Sequence, residues 1–302
     1  MTRSEAPLTL PPPLDSETVP AFDRGWLYPD GSRRAYLPYV QDDHPVNWSG
    51  ELEQLHAESG REHFIDVWTR GAMLERIGVL PAQATIVDLG CSSGFLLEDL
   101  SAAHPQASLI GIDLVASGLH RAHVLVPGAR LVQADACSLP LPACSVDAVL
   151  SANLLEHVAD DVRALAELRR ILRPRAHAVV VVPSGPNTYD YYDRFLGHER
   201  RYGRGELARK AREVGLEVLL DIHLGSLLYP PFWLTKQLNR RRFGHLRGAA
   251  LEQRVAADIA RTNDSLAGRT LCRLERRLLG AGLRLPFGIR GLTVLRCPEH
   301  SP

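Results

Sequence analysis

The chain has 302 residues, 45% of them hydrophobic, and its 35 Lys and Arg balance 35 Asp and Glu to a formal net charge of zero. That length holds one generous α/β domain with additions, and no apolar run approaches the roughly 20 residues needed to cross a bilayer. Five cysteines (Cys91, Cys137, Cys144, Cys272 and Cys297) are an odd number without C-x-x-C spacing, which argues against both a disulfide framework and a structural zinc site. The opening Met1 to Pro7 has no signal-peptide layout, so the expected location is cytoplasmic.

Residues 1–24, rich in Pro, Thr, Ser and Glu, with Pro11-Pro12-Pro13 excluding helix, read as a disordered or loosely docked tail. Residues 25–83 read as an N-terminal helical cap. Between Trp48 and Ile77, Leu52, Leu55, His56, His63, Phe64, Val67, Trp68 and Met73 share one side of one or two helices. Core packing accounts for the apolar positions and leaves His56, His63 and Arg70 as polar candidates. From 84 to 183 strands near 84–89, 108–113, 129–134, 146–152 and 177–183 alternate with helices near 94–103, 115–123 and 159–172. This α/β alternation predicts a parallel sheet covered on both faces. Residues 184–302 then hold an aromatic and charged insertion (Tyr189 to Tyr202), a helix (Gly205 to Val214), a strand near 216–222 and an apolar stretch around Pro230-Pro231. A basic helical segment and a final strand near Leu292 to Leu295 follow.

The densest chemistry sits where the β-branched run Thr85-Ile86-Val87 delivers Asp88-Leu89-Gly90-Cys91-Ser92-Ser93-Gly94 into the apolar start of a helix. Glycines there let the backbone approach a ligand while unpartnered helix N–H groups face it. Asp113 closes the next strand nineteen residues after Gly94, where a carboxylate can accept both hydroxyls of a ribose. The pair predicts an adenosine-containing cofactor. A dinucleotide turn would read G-x-G-x-x-G, whereas this one reads D-x-G-x-S-x-G. Asp88 would repel a pyrophosphate but suits a cationic ligand, which points to a sulfonium amino acid.

These residues resemble the class I S-adenosylmethionine-dependent methyltransferases, in particular the small-molecule branch called methyltransferase type 11. The matching segments run in order: Val87 to Gly94, Gly111-Ile112-Asp113, Gln133 to Pro140, Ser145 to Val149, Asn153 to Val158, and Leu168 to Pro174 leading into Val179 to Pro183. The resemblance implies a Rossmann-like three-layer sandwich whose mostly parallel seven-stranded sheet takes its last strand antiparallel. It implies that Asp88, Gly90, Ser92 and Gly94 hold the methionine end of S-adenosylmethionine and that Asp113 binds the ribose. Asp135 would accept from the adenine amino group, Leu114 and Ala136 would touch the ring faces, and Asn153 would lie near the sulfonium. Two departures stand out: Ser92 replaces the middle glycine of the family's turn, and Arg173-Pro174-Arg175-Ala176 replaces the usual Pro-Gly-Gly before the fifth strand.

Methyl transfer from a sulfonium needs an aligned nucleophile and a place for its proton. His157, following Glu156 beside the cofactor at a helix start, and His198, between Tyr192 and Tyr202, are the candidate bases. Tyr202 joins them as a catalytic candidate, while Tyr192, Arg200 and Arg201 suit an anionic or phenolic acceptor. No carboxylate set of the cation-dependent catechol type is present, so the expected chemistry is metal-independent. From Arg194 to Arg296 the chain has 21 Lys and Arg against 9 Asp and Glu, densest at Arg240-Arg241-Arg242. Solvated helix faces explain this surplus; a site for an anionic substrate, carrier or membrane face is the sharper reading. The leading expectation is methyl transfer to a small or lipid-like acceptor at oxygen, nitrogen or an activated carbon. The alternatives are a nucleic-acid methyltransferase using the basic third, and a cofactor-binding protein without transfer. Against the former, Asn153 is followed by Leu154-Leu155 and not by a base-methylation signature.

Overall fold

A computed structural model describes residues 9–41, 44, 48, 50–262 and 265–299. Three short strands, β1 (Ala21–Phe22), β2 (Trp26–Leu27) and β3 (Arg33–Arg34), form a small antiparallel sheet, and β4 (Tyr36–Pro38) follows. Helices α1 (Gly50–Ser59) and α2 (Phe64–Leu74) precede the alternating core. The core runs β5 (Thr85–Leu89), α3 (Phe95–Ala103), β6 (Ser108–Asp113), α4 (Ala116–Leu125) and β7 (Arg130–Gln133), then β8 (Val146–Ala152), α5 (Asp161–Ile171) and β9 (Leu172–Pro183). After it come α6 (Tyr191–Phe195), α7 (Glu206–Glu213), β10 (Glu217–Leu224), α8 (Tyr229–Phe243), α9 (Gly248–Thr262), α10 (Leu266–Gly280) and β11 (Arg290–Arg296).

The main sheet has the order β10-β11-β9-β8-β5-β6-β7-β4. β4 to β9 pair in parallel, while β11 runs antiparallel between β9 and β10. Every residue of β5 is buried because both faces are covered. Val87 and Leu89 pack on one side with Leu165 and Leu168 of α5, and Ile86 packs on the other with Leu97 and Leu100 of α3. The strands β5, β6 and β8 therefore end together at one edge, with the segment after each emerging at the same rim.

Eight strands stand where seven are expected. The extra one, β4, pairs in parallel with β7 and covers what would be an open edge. Residues 26–38, expected within a helical cap, instead hold β2 and β3 of the small antiparallel sheet and β4 of the main one, and helix between residues 25 and 83 is confined to α1 and α2 among the described residues. The segment from residue 9 is also docked. Leu10 belongs to the core, Leu14 N–H donates to the Pro38 carbonyl at 2.9 Å, and Tyr39 hydroxyl donates to the Pro11 carbonyl at 2.6 Å. Residues 1–8 lie outside the described residues. Arg173 to Ala176 form an irregularity within β9, where pairing to β8 slips between Leu172 and His177 and Arg175 is left-handed at φ 67°. Pro230 and Pro231 open α8, using first-turn positions where a missing N–H costs nothing.

Candidate active site

The turn after β5 passes through left-handed Gly90 (φ 83°), Ser92 (φ 45°) and Gly94 (φ 85°). A Cβ on Gly90 would lie 2.9 Å from Leu154 Cβ, and one on Gly94 would lie 2.9 Å from Ala122 Cβ, so side chains are excluded by space as well as by angle. Ser92 holds a conformation that favours glycine, and Glu53 of α1 anchors it. Ser92 Oγ donates to Glu53 Oε1 at 2.8 Å, Ser93 Oγ donates to the same oxygen at 2.6 Å, and Trp48 Nε1 donates to Oε2 at 2.9 Å. Glu53 is fully buried. Sequence reading missed it because Glu53 is one of three glutamates in a largely polar helix and carries no signal of its own until that helix is placed over the turn.

Asp113 accepts from Ser92 N–H at 2.8 Å and Val115 N–H at 2.9 Å, which fixes its carboxylate at the mouth of β6. Burial still pushes it up to about 6, against those N–H groups and with the Glu53 charge adding. Asp88 is pushed up to about 8 by burial and by the Asp113 charge, with Arg70 opposing. Its Oδ2 is buried and has no hydrogen-bond partner among the described residues. An orphaned carboxylate oxygen beside a second carboxylate is a poor place for a phosphate and a good one for a cation. Asp135 accepts from Cys137 N–H at 2.8 Å, with His44 Nε2 3.7 Å away.

A cavity of about 770 Å³ joins these residues to a second group past Asn153, where Glu156, His157, Tyr192, His198, Arg201 and Lys236 line it. The His157 and His198 rings meet edge-on at 4.7 Å, and Trp48 meets His157 at 5.0 Å. His198 Nδ1 lies 2.8 Å from Asp193 Oδ1, and Arg201 Nε donates to that oxygen at 2.6 Å. Lys236 Nζ donates to Asp190 Oδ1 at 2.7 Å and stands 3.6 Å from Asp193 Oδ2. Burial opposes ionisation of Asp193, yet the His198 bond and the Arg201 and Lys236 charges hold it well below the usual range. Asp190 and Asp193 also cap α6 reciprocally, so the short helix carries its own support. Glu156 is 1% exposed; burial pushes it up to about 7 against the His198, Arg290 and Arg201 charges.

Most residues singled out from sequence line this cavity. Gly94 does not; it packs behind the turn against α4. Tyr202 and Arg200 also lie off the wall. Tyr202 is 2% exposed and its hydroxyl donates to Asp161 Oδ2 at 2.6 Å; Arg200 lies 3.0 Å from the same oxygen and donates to the Ala159 carbonyl. Both tie the insertion to α5 because Asp161 is a buried carboxylate needing partners. His157 ends a 3-10 turn, Leu155–His157, while α5 begins at Asp161 under the Asp160 cap, so the expected helix-start field on this imidazole is not built. His63 and Arg70 line the cavity, Arg70 donating to Asp99 Oδ2 at 2.6 Å; the His56 side chain lies outside the described residues. Arg240, Arg241 and Arg242 are exposed on α8 and do not line the cavity.

Residues 87–180 match the family model described as Methyltransferase domain. The chain is 35% identical over 177 residues to an uncharacterized 37.1 kDa protein in transposon TN4556 of Streptomyces fradiae, covering 52% of this chain and 50% of that one. It is 34% identical over 122 residues to trans-aconitate 2-methyltransferase of Azoarcus sp. (strain BH72), covering 40% and 47%. The chain thus spans about half the length of these curated relatives. Among solved structures, the fold is similar, at TM-score 0.55 and 20% identity, to a chain of the Haloferax volcanii complex between the Trm112 methyltransferase activator and a methyltransferase. That match covers 83% of this chain and 94% of that chain.

Residues 87–180 thus match a methyltransferase-domain model, and the sheet around them has the fold of a solved methyltransferase complex chain. The orphaned Asp88 and the Asp113 carboxylate fit S-adenosylmethionine, the cofactor of the class I methyltransferases that the sequence resembles. Among the described residues no helix is long and apolar enough to cross a membrane.

Proposed function

We propose that the protein transfers the methyl group of S-adenosylmethionine to a small or lipid-like acceptor, at oxygen, nitrogen or an activated carbon. The observation that carries this reading is the continuity of one cavity from Asp88 and Asp113 to Glu156, His157 and His198. When bound, the cofactor supplies an electrophilic methyl group and its own leaving group. The chain does the rest. Asp88, Asp113 and Asp135 fix the donor end, and Asn153, left-handed at φ 53° after β8, stands between the two halves of the cavity. His157 and His198 offer ring nitrogens on the acceptor wall, to which the proton of a nucleophile can pass.

The charges on that wall favour an acceptor without dense negative charge. Arg201 is paired with Asp193, Lys236 with Asp190, Arg254 with Asp258 and Arg290 with Asp66, so these cations are neutralised before any ligand arrives. A tricarboxylate acceptor, as the name of the Azoarcus relative indicates for that protein, would have to break such pairs. The exposed arginines of α8 do not line the cavity.

Calorimetry with S-adenosylmethionine on the wild type and on Asp113→Ala, followed by an acceptor panel read as S-adenosylhomocysteine formation, tests the proposal. Wild-type binding weakened at least roughly 100-fold in the variant is expected, since two ribose hydrogen bonds to a charged group are worth on the order of 1.5–3 kcal/mol each. A well-folded wild type that binds neither ligand would sink the reading.

A further inference from the structure

Glu156, His157 and His198 come from two parts of the chain, the segment after β8 and the insertion after α6. Their ligand atoms, one carboxylate oxygen and one ring nitrogen from each histidine, all lie within 4.8 Å of one another. We propose that these three side chains bind a divalent first-row cation of the zinc(II) type on the acceptor wall, with its open positions toward the acceptor. The proposal rests on the methyl-transfer reading only for its purpose, which is to hold an oxygen or nitrogen of the acceptor beside the donor and to acidify it, in place of proton uptake by the two ring nitrogens that the cation would occupy.

Two imidazoles and one carboxylate are a borderline-soft set that suits zinc, cobalt, nickel or iron(II) better than magnesium or calcium. Three protein ligands leave at least one position for another group. His198 is prepared for such a role. Its Nδ1 is engaged by Asp193 Oδ1 at 2.8 Å, which presents Nε2 outward, and Asp193 is fixed in turn by Arg201 and by the Asp190 N–H. A carboxylate behind a histidine is the usual support of a metal-binding imidazole.

Glu156 supplies the second, independent observation. It is 1% exposed and lines the cavity, and its Oε2 has no hydrogen-bond partner among the described residues. Leaving a buried carboxylate oxygen without a partner is unfavourable, and a cation is the partner that best offsets it. Arg201, Arg290 and Lys236 face the same space and would repel a cation. Each is matched by its own carboxylate, Asp193, Asp66 and Asp190, so the opposing field is largely cancelled. Ion-to-ligand bonds of about 2.1 Å place tetrahedral ligand atoms about 3.4 Å apart, so the three side chains need only close by rotamer adjustment around the ion.

The test titrates the chelator-stripped 302-residue chain with Co²⁺, reading its visible d–d absorption, and measures Zn²⁺ by competition. S-adenosylmethionine binding is measured on the same samples. One equivalent of Co²⁺ is expected, weakened roughly 100-fold in Glu156→Gln and in His198→Ala, and about 10-fold in Asp193→Asn. Retained cofactor binding shows that each variant is folded. A wild type that binds the cofactor but takes up no Co²⁺ overturns the metal site and leaves the methyl-transfer reading intact. So does uptake equal in wild type, Glu156→Gln and His198→Ala, which would place the ion on other histidines. Stoichiometric, variant-sensitive Co²⁺ binding without cofactor binding would uphold the site and sink the transfer reading instead.

Discussion

Tyr202 shows how a residue of the right type at the right distance in sequence acquires a different task. Its ring is buried under the insertion, Lys210 Nζ lies 5.2 Å from the ring centroid, and its hydroxyl serves Asp161. Burial and the Asp161 carboxylate push the phenol far above its ordinary range, so it holds its proton throughout the working pH interval. Tyr202→Phe removes one hydrogen bond to a carboxylate that keeps Lys210 at 2.6 Å and Arg200 at 3.0 Å. A loss of about 1–2 kcal/mol in urea unfolding is expected, with kcat within about twofold of wild type. A large fall in kcat at unchanged stability would return this residue to the catalytic group. Glu53 is the converse case: it touches Ser92, Ser93 and Trp48, and so supports a turn in which serine stands at a position the family gives to glycine.

At the scale of elements, the N-terminal segment is part of the sheet's edge and not an accessory. β4 pairs with β7, and Trp26 of β2 donates its indole N–H to the Leu131 carbonyl at 3.0 Å while packing edge-on against Phe22 at 5.0 Å. Trp26 is 3% exposed in the same apolar cluster as Val132 and Ile112. Trp26→Ala should therefore destabilise the domain by about 3–5 kcal/mol in chemical denaturation. A change under about 1 kcal/mol would mean that the segment is only loosely attached. α8 plays a second supporting part, its inner face giving Phe232, Lys236 and Asn239 to the cavity while Trp233, Leu234 and Leu238 stay exposed.

For the whole molecule, the two raised carboxylates of the cofactor turn link stability to pH. Asp88 and Asp113 have folded pKa values of about 8 and about 6 against an ordinary value of 3.8. The folded state binds more protons than the unfolded one between those limits, so this contribution is fully present below about pH 4 and is lost as pH rises, through about 6 for Asp113 and about 8 for Asp88. The ligand-free protein should accordingly show a falling contribution to Tm from these groups between pH 5 and 8. Asp88→Asn should flatten the slope, and saturating S-adenosylmethionine, whose positive charge compensates Asp88, should do the same. An identical slope in wild type and variant, measured by differential scanning calorimetry, would remove Asp88 as its source.

Local order in the sequence determined the alternating core, from β5 to β9, because apolar strand runs alternate with helical segments along the chain and the cofactor turn lies within eight consecutive residues. Asp88, Gly90, Asp113 and Asp135 were legible for the same reason: spacing along the chain fixes their place at the strand ends. The acceptor side was legible only in part: His157, Tyr192, His198 and Arg201 stood out by residue type, whereas Glu156 and Lys236 did not. Glu156 and His157 meet His198, Arg201 and Lys236 only because the insertion and α8 fold back over the ends of β8 and β9, and no periodicity encodes that return. The eighth strand, the buried Glu53 and the diversion of Tyr202 and Arg200 to Asp161 were likewise settled by long-range packing, where buried charges and open sheet edges find partners distant in sequence.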